Sequence, residues 1–171
     1  MKNIFGTSHC LVGILLLALG AAGQVNAAGC TVSSSGLVFG SYQPLNSVGK
    51  LRSDPSTSSA IVSVICSGIV NGGAYRIALG PSMSGSGDRI STRYLTSARG
   101  GDGMAFNVYR EASYSTVWGD GIVAGSPLGA ALPPGNSSQS HTVNGRIPAG
   151  QSSLRAGNYF GSLTLTLSYQ S

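Results

Sequence analysis

Beyond residue 30, hydrophobic and polar positions alternate in short runs along most of the chain. Tyr75, Ile77 and Leu79 are separated by Arg76 and Ala78, and Met104, Phe106 and Val108 by Ala105 and Asn107; His141, Val143 and Ile147 sit in a third such stretch. A period of two assigns alternate side chains to the two faces of a strand, whereas a helix needs apolar positions three and four apart. No long window shows a helical stripe bounded by caps, and Gly, Ser, Pro and Asn interrupt the runs often enough to predict an all-β sandwich or barrel. Ala60 to Cys66 is apolar at nearly every position, which predicts a strand covered on both sides. The clearest pattern comes last: Leu163, Leu165, Leu167 and Tyr169 alternate with Ser162, Thr164, Thr166 and Ser168, as in a half-buried strand that ends the numbered chain. Between Gly119 and Gly150 the content of Gly, Ser and Pro, including Leu132-Pro133-Pro134-Gly135, predicts long surface loops rather than a second core.

The first 27 residues read as something other than fold. Lys2 supplies a positive start, Leu11 to Ala22 an apolar run, and Val25-Asn26-Ala27 the small residues that a signal peptidase cuts behind. The run is shorter than the about 20 residues needed to span a bilayer. We therefore expect a cleaved export signal over 1–27 and one domain over 28–171. Cys10 leaves with the signal, so Cys30 and Cys66 remain, an even pair for an oxidising compartment. A rival reading makes Cys30 a lipid-attachment site, because Ala27-Ala28-Gly29-Cys30 loosely fits the small residues before an acylated cysteine.

Composition narrows the classes further. Only 9% of the 171 residues are charged and 26 are glycine, against about 25% charged in an average protein. That excludes coiled coils, and 42% hydrophobic residues exclude a disordered tail. Arg76, Arg89, Arg93, Arg99, Arg110, Arg146 and Arg155 are spread along the chain without interleaved aromatics, so they predict a scattered basic surface and no nucleic-acid site.

Catalytic chemistry finds little support. His141, the one histidine after the signal, is expected to face solvent on a strand, and no GxSxG elbow offers a nucleophile. Asp54, Asp88, Asp102, Glu111 and Asp120 are scattered singly, and no metal-ligand set remains once the two cysteines are paired. Gly119-Asp120-Gly121 with Gly125 has the wrong spacing for a dinucleotide loop and predicts a turn. Neither a cofactor nor a metal is expected. Asn136-Ser137-Ser138 fits a glycan acceptor.

Several segments in consistent order carry a resemblance. Gly29-Cys30-Thr31-Val32, Val38-Phe39-Gly40-Ser41-Tyr42, Val64-Ile65-Cys66-Ser67, Phe106-Asn107-Val108-Tyr109, Val117-Trp118-Gly119-Asp120-Gly121, Val143-Asn144-Gly145-Arg146-Ile147-Pro148 and Ala156-Gly157-Asn158-Tyr159 together resemble the spore coat protein U family, which includes the pilins of archaic chaperone-usher pili. The resemblance implies an incomplete immunoglobulin-like β-sandwich of pilin type, lacking its final strand. It implies a disulfide between Cys30 and Cys66, and it places Leu163, Leu165, Leu167 and Tyr169 beside a groove filled by a strand lent from outside. The implied partners are a periplasmic pilus chaperone, an outer-membrane usher and neighbouring pilus subunits, in the service of adhesion and biofilm formation. One departure stands out: pilins that donate a strand carry ten or more alternating residues before the first cysteine, and cleavage after Ala27 leaves Ala28 and Gly29. An acceptor without its own donor strand, placed at a fibre tip, or a coat-type protein follows as the expectation. The alternative is a self-contained secreted sandwich that binds surface carbohydrate on Trp118, Tyr94 or Tyr114, with Trp118 otherwise a core or loop-packing residue.

Overall fold

A computed structural model describes residues 28–43, 55–85, 87–100 and 103–170. The expected signal over 1–27, and Asp54 and Asp102, lie outside them. Nine strands and no helix occur among the described residues: β1 Gly29–Ser34, β2 Ser56–Ile69, β3 Gly73–Leu79, β4 Arg93–Ser97, β5 Met104–Tyr109, β6 Leu128–Leu132, β7 Gly135–Ile147, β8 Tyr159–Phe160 and β9 Leu165–Gln170. They form two layers, one sheet ordered β1-β2-β7-β5-β4-β8 and a smaller one ordered β6-β3-β9, with every strand pair antiparallel. This is an immunoglobulin-like sandwich, and its core lies between the layers, built from Val62, Val64, Tyr75, Ile77, Phe106, Val108, Trp118, Val143 and Ile147 among others.

Two expectations about the strands need correction. Residues 60–66 are buried on one face only: Val62 and Val64 point inward, while Ile61 and Ile65 are 53% and 57% exposed. Their cross-strand neighbours are Thr142 and Ser138 on β7, and Thr31 also faces Ile65 from β1, so the outer face around them is a solvated hydroxyl surface interrupted by two isoleucines. The stretch 119–150 is not mainly loop either. It contains β6 and the thirteen-residue β7, a central strand that pairs with β2 along nearly its whole length. Its first half, Gly-Asn-Ser-Ser-Gln-Ser, lacks apolar signal because the main-chain ladder with β2 holds it in place. Pro133 and Pro134, which lack N–H groups, separate β6 from β7.

The cysteine pair is the directly opposed pair Cys30–Cys66 of β1 and β2, with Cα atoms 4.1 Å apart and a bond between the sulfurs. With its thiol in that bond, Cys30 has no sulfur for a thioether-linked lipid, which removes the acylation reading. The Asp120 loop is a turn, as expected: Asp120 Oδ1 accepts the main-chain N–H groups of Ile122, Val123 and Ala124. Those bonds, that of Ile122 first, hold the Asp120 carboxyl below its ordinary range.

Candidate functional site

The two layers are of unequal width, and the difference leaves an opening. β9 pairs with β3 on one side, and no strand pairs with its other edge among the described residues. Gly80 N–H donates to Thr164 O at 2.9 Å, in register with the β3–β9 pairing. Because hydrogen-bonded and non-hydrogen-bonded pairs alternate in an antiparallel ladder, Thr166, Ser168 and Gln170 turn their main-chain groups to β3. Leu165, Leu167 and Tyr169 turn theirs to the open edge. The same alternation points Leu163, Leu165 and Leu167 inward, half-buried, and Thr164, Thr166 and Ser168 to solvent.

Facing this edge is the segment after β1. Ser35 N–H still bonds Ile61 O, but beyond it the chain is held along β2 by serine side chains: Ser58 Oγ accepts from Val38 N–H, and Ser56 Oγ donates to Phe39 O. Leu37 and Phe39 point inward and Val38 outward, an alternation that reads as strand in the sequence although no ladder forms. Gly145 on β7 makes room for them. A Cβ there would sit 2.7 Å from the Phe39 ring tip and 2.8 Å from Leu37, so the missing side chain is what lets this segment approach the sheet. The Phe39 ring meets Phe106 edge-on at 6.0 Å.

Between the two walls lies a cavity of about 1080 Å³, lined by Ser34–Gln43 on one side and Leu154–Gly161, Leu163 and Leu165 on the other. Core side chains form its floor, among them Leu79, Leu95, Met104, Phe106, Val108 and Trp118. A packed interior has few voids larger than a water molecule, and this opening is far larger than that. It is therefore an open groove between the sheets rather than a packing defect.

The floor is fastened by a residue whose role the sequence does not betray. Arg93, expected on a basic surface, is fully buried. Its Nε donates to Gly80 O; Nη2 donates to Leu79 O, Gly80 O and Trp118 O, each at 2.9 Å; and Nη1 donates to Asn107 Oδ1 at 2.6 Å. Asn107 Nδ2 in turn donates to Ile90 O and Ser91 O. Burial pushes the guanidinium down to about 10, against the opposing pull of Asp120 and Asp88, so it stays charged at neutral pH.

Trp118 is 2% exposed, and its Nε1 donates to Ile77 O at 2.8 Å; its ring belongs to the core and the groove floor and offers no open face for a sugar. Tyr94 lies against the main chain of Gly85 and Gly103. His141 does not face solvent freely: it is half-buried, its Nε2 lies 2.7 Å from Tyr75 Oη, and burial, then the charge of Arg110, lowers its pKa. The Tyr75 hydroxyl also donates to Gln139 Oε1, a polar bridge from the small sheet to the large one, and burial raises the Tyr75 pKa. Tyr169, 38% exposed, closes the far end of β9, where its hydroxyl reaches Ala28 O at 3.4 Å.

Comparison with known families gives one finding: the model of the Spore Coat Protein U domain matches residues 17–166. A comparison with curated proteins gave no match.

Proposed function

The chain belongs to the spore coat protein U family of chaperone-usher pilus and coat subunits, and from that premise we propose that it is an exported structural subunit completed by a β-strand from another polypeptide. The observation that carries this reading is the apolar groove beside the open edge of β9. A periplasmic chaperone fills it first and a neighbouring subunit afterwards, with an outer-membrane usher between the two events, and the assembled surface structure serves adhesion and biofilm formation. Leu163 and Leu165 line the groove's inner wall while Leu167 packs on the core beside it, and the outward main-chain groups of Leu165, Leu167 and Tyr169 receive the ladder. Four or five anchoring side chains at about 1.5–3 kcal/mol each, with ladder hydrogen bonds near 1 kcal/mol each, make the inserted strand slow to leave. This is strand addition with side-chain pockets for specificity.

The reading of 1–27 as a cleaved signal bears on position in a fibre. β1 begins at Gly29, and Ala28 already receives the Tyr169 hydroxyl, so the residues just after the predicted cleavage belong to this sandwich. We assign the subunit an acceptor's role, consistent with a tip or coat position. Co-expression with a periplasmic pilus chaperone tests the groove. Leu165→Asp places a carboxylate at the apolar wall and should abolish capture, whereas Thr166→Asp, on the solvent face one residue on, should leave it intact. Capture unchanged by Leu165→Asp, or a parent chain that is a soluble, stable monomer without any partner, overturns the reading.

A further inference from the structure

On the side of the large sheet away from the groove lies a second cluster of polar and aromatic residues. Tyr109 at the end of β5 and Tyr114 in the following loop meet at right angles, their ring centroids 5.4 Å apart. Arg146 on β7 lays its guanidinium 5.3 Å from the centre of the Tyr114 ring. Asn144 stands opposite Tyr109, and Thr57 on β2 stands opposite Arg146.

Three features set this cluster apart from ordinary surface packing. Tyr114 has a backbone φ of 55°, a conformation that a bulky residue adopts at a cost and that persists where the surroundings enforce it. Its loop is held by Glu111, whose carboxylate accepts from Ser115 Oγ and Thr116 N–H and is so engaged within the loop; the Ser115 bond first, then Thr116, holds its pKa low. Arg146 Nε is buried with no hydrogen-bond partner, and no acceptor bonds this guanidinium among the described residues. An arginine fixed against an aromatic ring with unused donors is prepared for a planar anion.

We infer that the Tyr109–Tyr114–Arg146 corner is a binding site for a carboxylated sugar. The carboxylate takes the fork of Arg146, the apolar face of the pyranose packs on a tyrosine ring, and Asn144 and Thr57 supply hydroxyl partners. Because the corner lies on the outer face and the groove between the layers, occupation of one does not obstruct the other. The inference stands whether or not a strand enters the groove.

Calorimetric titration of the chain co-purified with a periplasmic pilus chaperone, or of the chain alone if it is soluble without one, with a galacturonate trimer and with a galactose trimer of the same linkage, tests it. Binding of the acidic trimer is expected, with the neutral one at least tenfold weaker. Arg146→Gln should weaken the acidic trimer at least tenfold, and Arg146→Lys, which keeps the charge but not the fork, nearly as much. Tyr114→Gly removes the ring while easing the backbone, so it should lose binding with thermal stability retained or improved; this separates a ligand role from a structural one. No binding of the acidic trimer, equal binding of both trimers, or affinity unchanged in Arg146→Gln overturns the assignment.

Discussion

Arg93 makes the sharpest prediction, because a buried cation among main-chain carbonyls joins both layers at the groove floor. Its acceptors Leu79 O and Gly80 O end β3 in the small sheet, while Arg93 itself and Asn107 belong to the large one. Arg93→Leu leaves two buried acceptors, Leu79 O and Trp118 O, without a donor; it also takes both side-chain bonds from Gly80 O and one from Asn107 Oδ1, which keeps the Val108 N–H. Orphaned buried acceptors cost about 1–3 kcal/mol each and the bonds lost at the other two acceptors about 1 kcal/mol each, so the gross loss is roughly 4–8 kcal/mol. Relief of the guanidinium's own desolvation returns several kcal/mol of this, since burial already pushes its pKa down to about 10. A net loss of about 3 kcal/mol and a fall in Tm of roughly 10 °C are expected for a domain of this size. Arg93→Lys should do no better, because one ammonium cannot reach acceptors spread over three nitrogens. Thermal and urea unfolding of parent and variants, compared in the same state of groove occupancy, measure both. A variant within about 0.5 kcal/mol of the parent, as for an ordinary surface change, would refute the reasoning, and full rescue by lysine would show that charge alone matters.

Two further outcomes follow from other parts of the molecule. Replacing Cys30 and Cys66 together by serine opens a loop of 36 residues and should cost roughly 4 kcal/mol on the chain-entropy model, read as a lower urea midpoint; unchanged stability would show that the β1–β2 ladder alone secures the strand. His141 resists protonation in the folded chain because of burial and Arg110, whereas the unfolded chain takes up its proton near 6.5. Stability should therefore fall as the pH drops from about 7.5 to about 5.5, and His141→Gln should flatten that slope; an identical slope in both proteins sinks the assignment.

Much of this architecture was legible as periodicity. The alternations at Tyr75–Leu79, Met104–Val108 and Leu163–Tyr169 became β3, β5 and the β9 wall, because each strand has one face on the core and one in water. The reading of 60–66 as covered on both sides failed because apolar content does not reveal that Ile61 and Ile65 spend their side chains on the outer sheet face. The first half of β7 was hidden for the opposite reason: Asn136 to Ser140 hold strand geometry through pairing with β2, a long-range partner that composition does not encode. Arg93 was misjudged as surface because its acceptors come from segments remote in sequence and converge only after both layers form. The groove was legible only at β9; its other wall, Leu37 and Phe39, carried the short alternation of a strand, but its depth depends on Gly145, more than a hundred residues away.

The form of the groove also argues for what fills it. The large sheet is six strands wide and the small one three, so the inner faces of β4 and β5 extend past the cover that β9 supplies. The residues left under the cavity include Leu95, Met104 and Phe106, which belong to β4 and β5. Adjacent strands lie about 4.8 Å apart, so one more strand beside β9 would extend the small sheet over them, taking up the main-chain groups of Leu165, Leu167 and Tyr169 as it did so. A compact small molecule could fill the apolar volume, but it would leave that row of donors and acceptors without partners along the edge. An extended peptide with apolar residues at alternate positions would satisfy the floor and the edge together, which is the physical reason for proposing a polypeptide strand as the occupant.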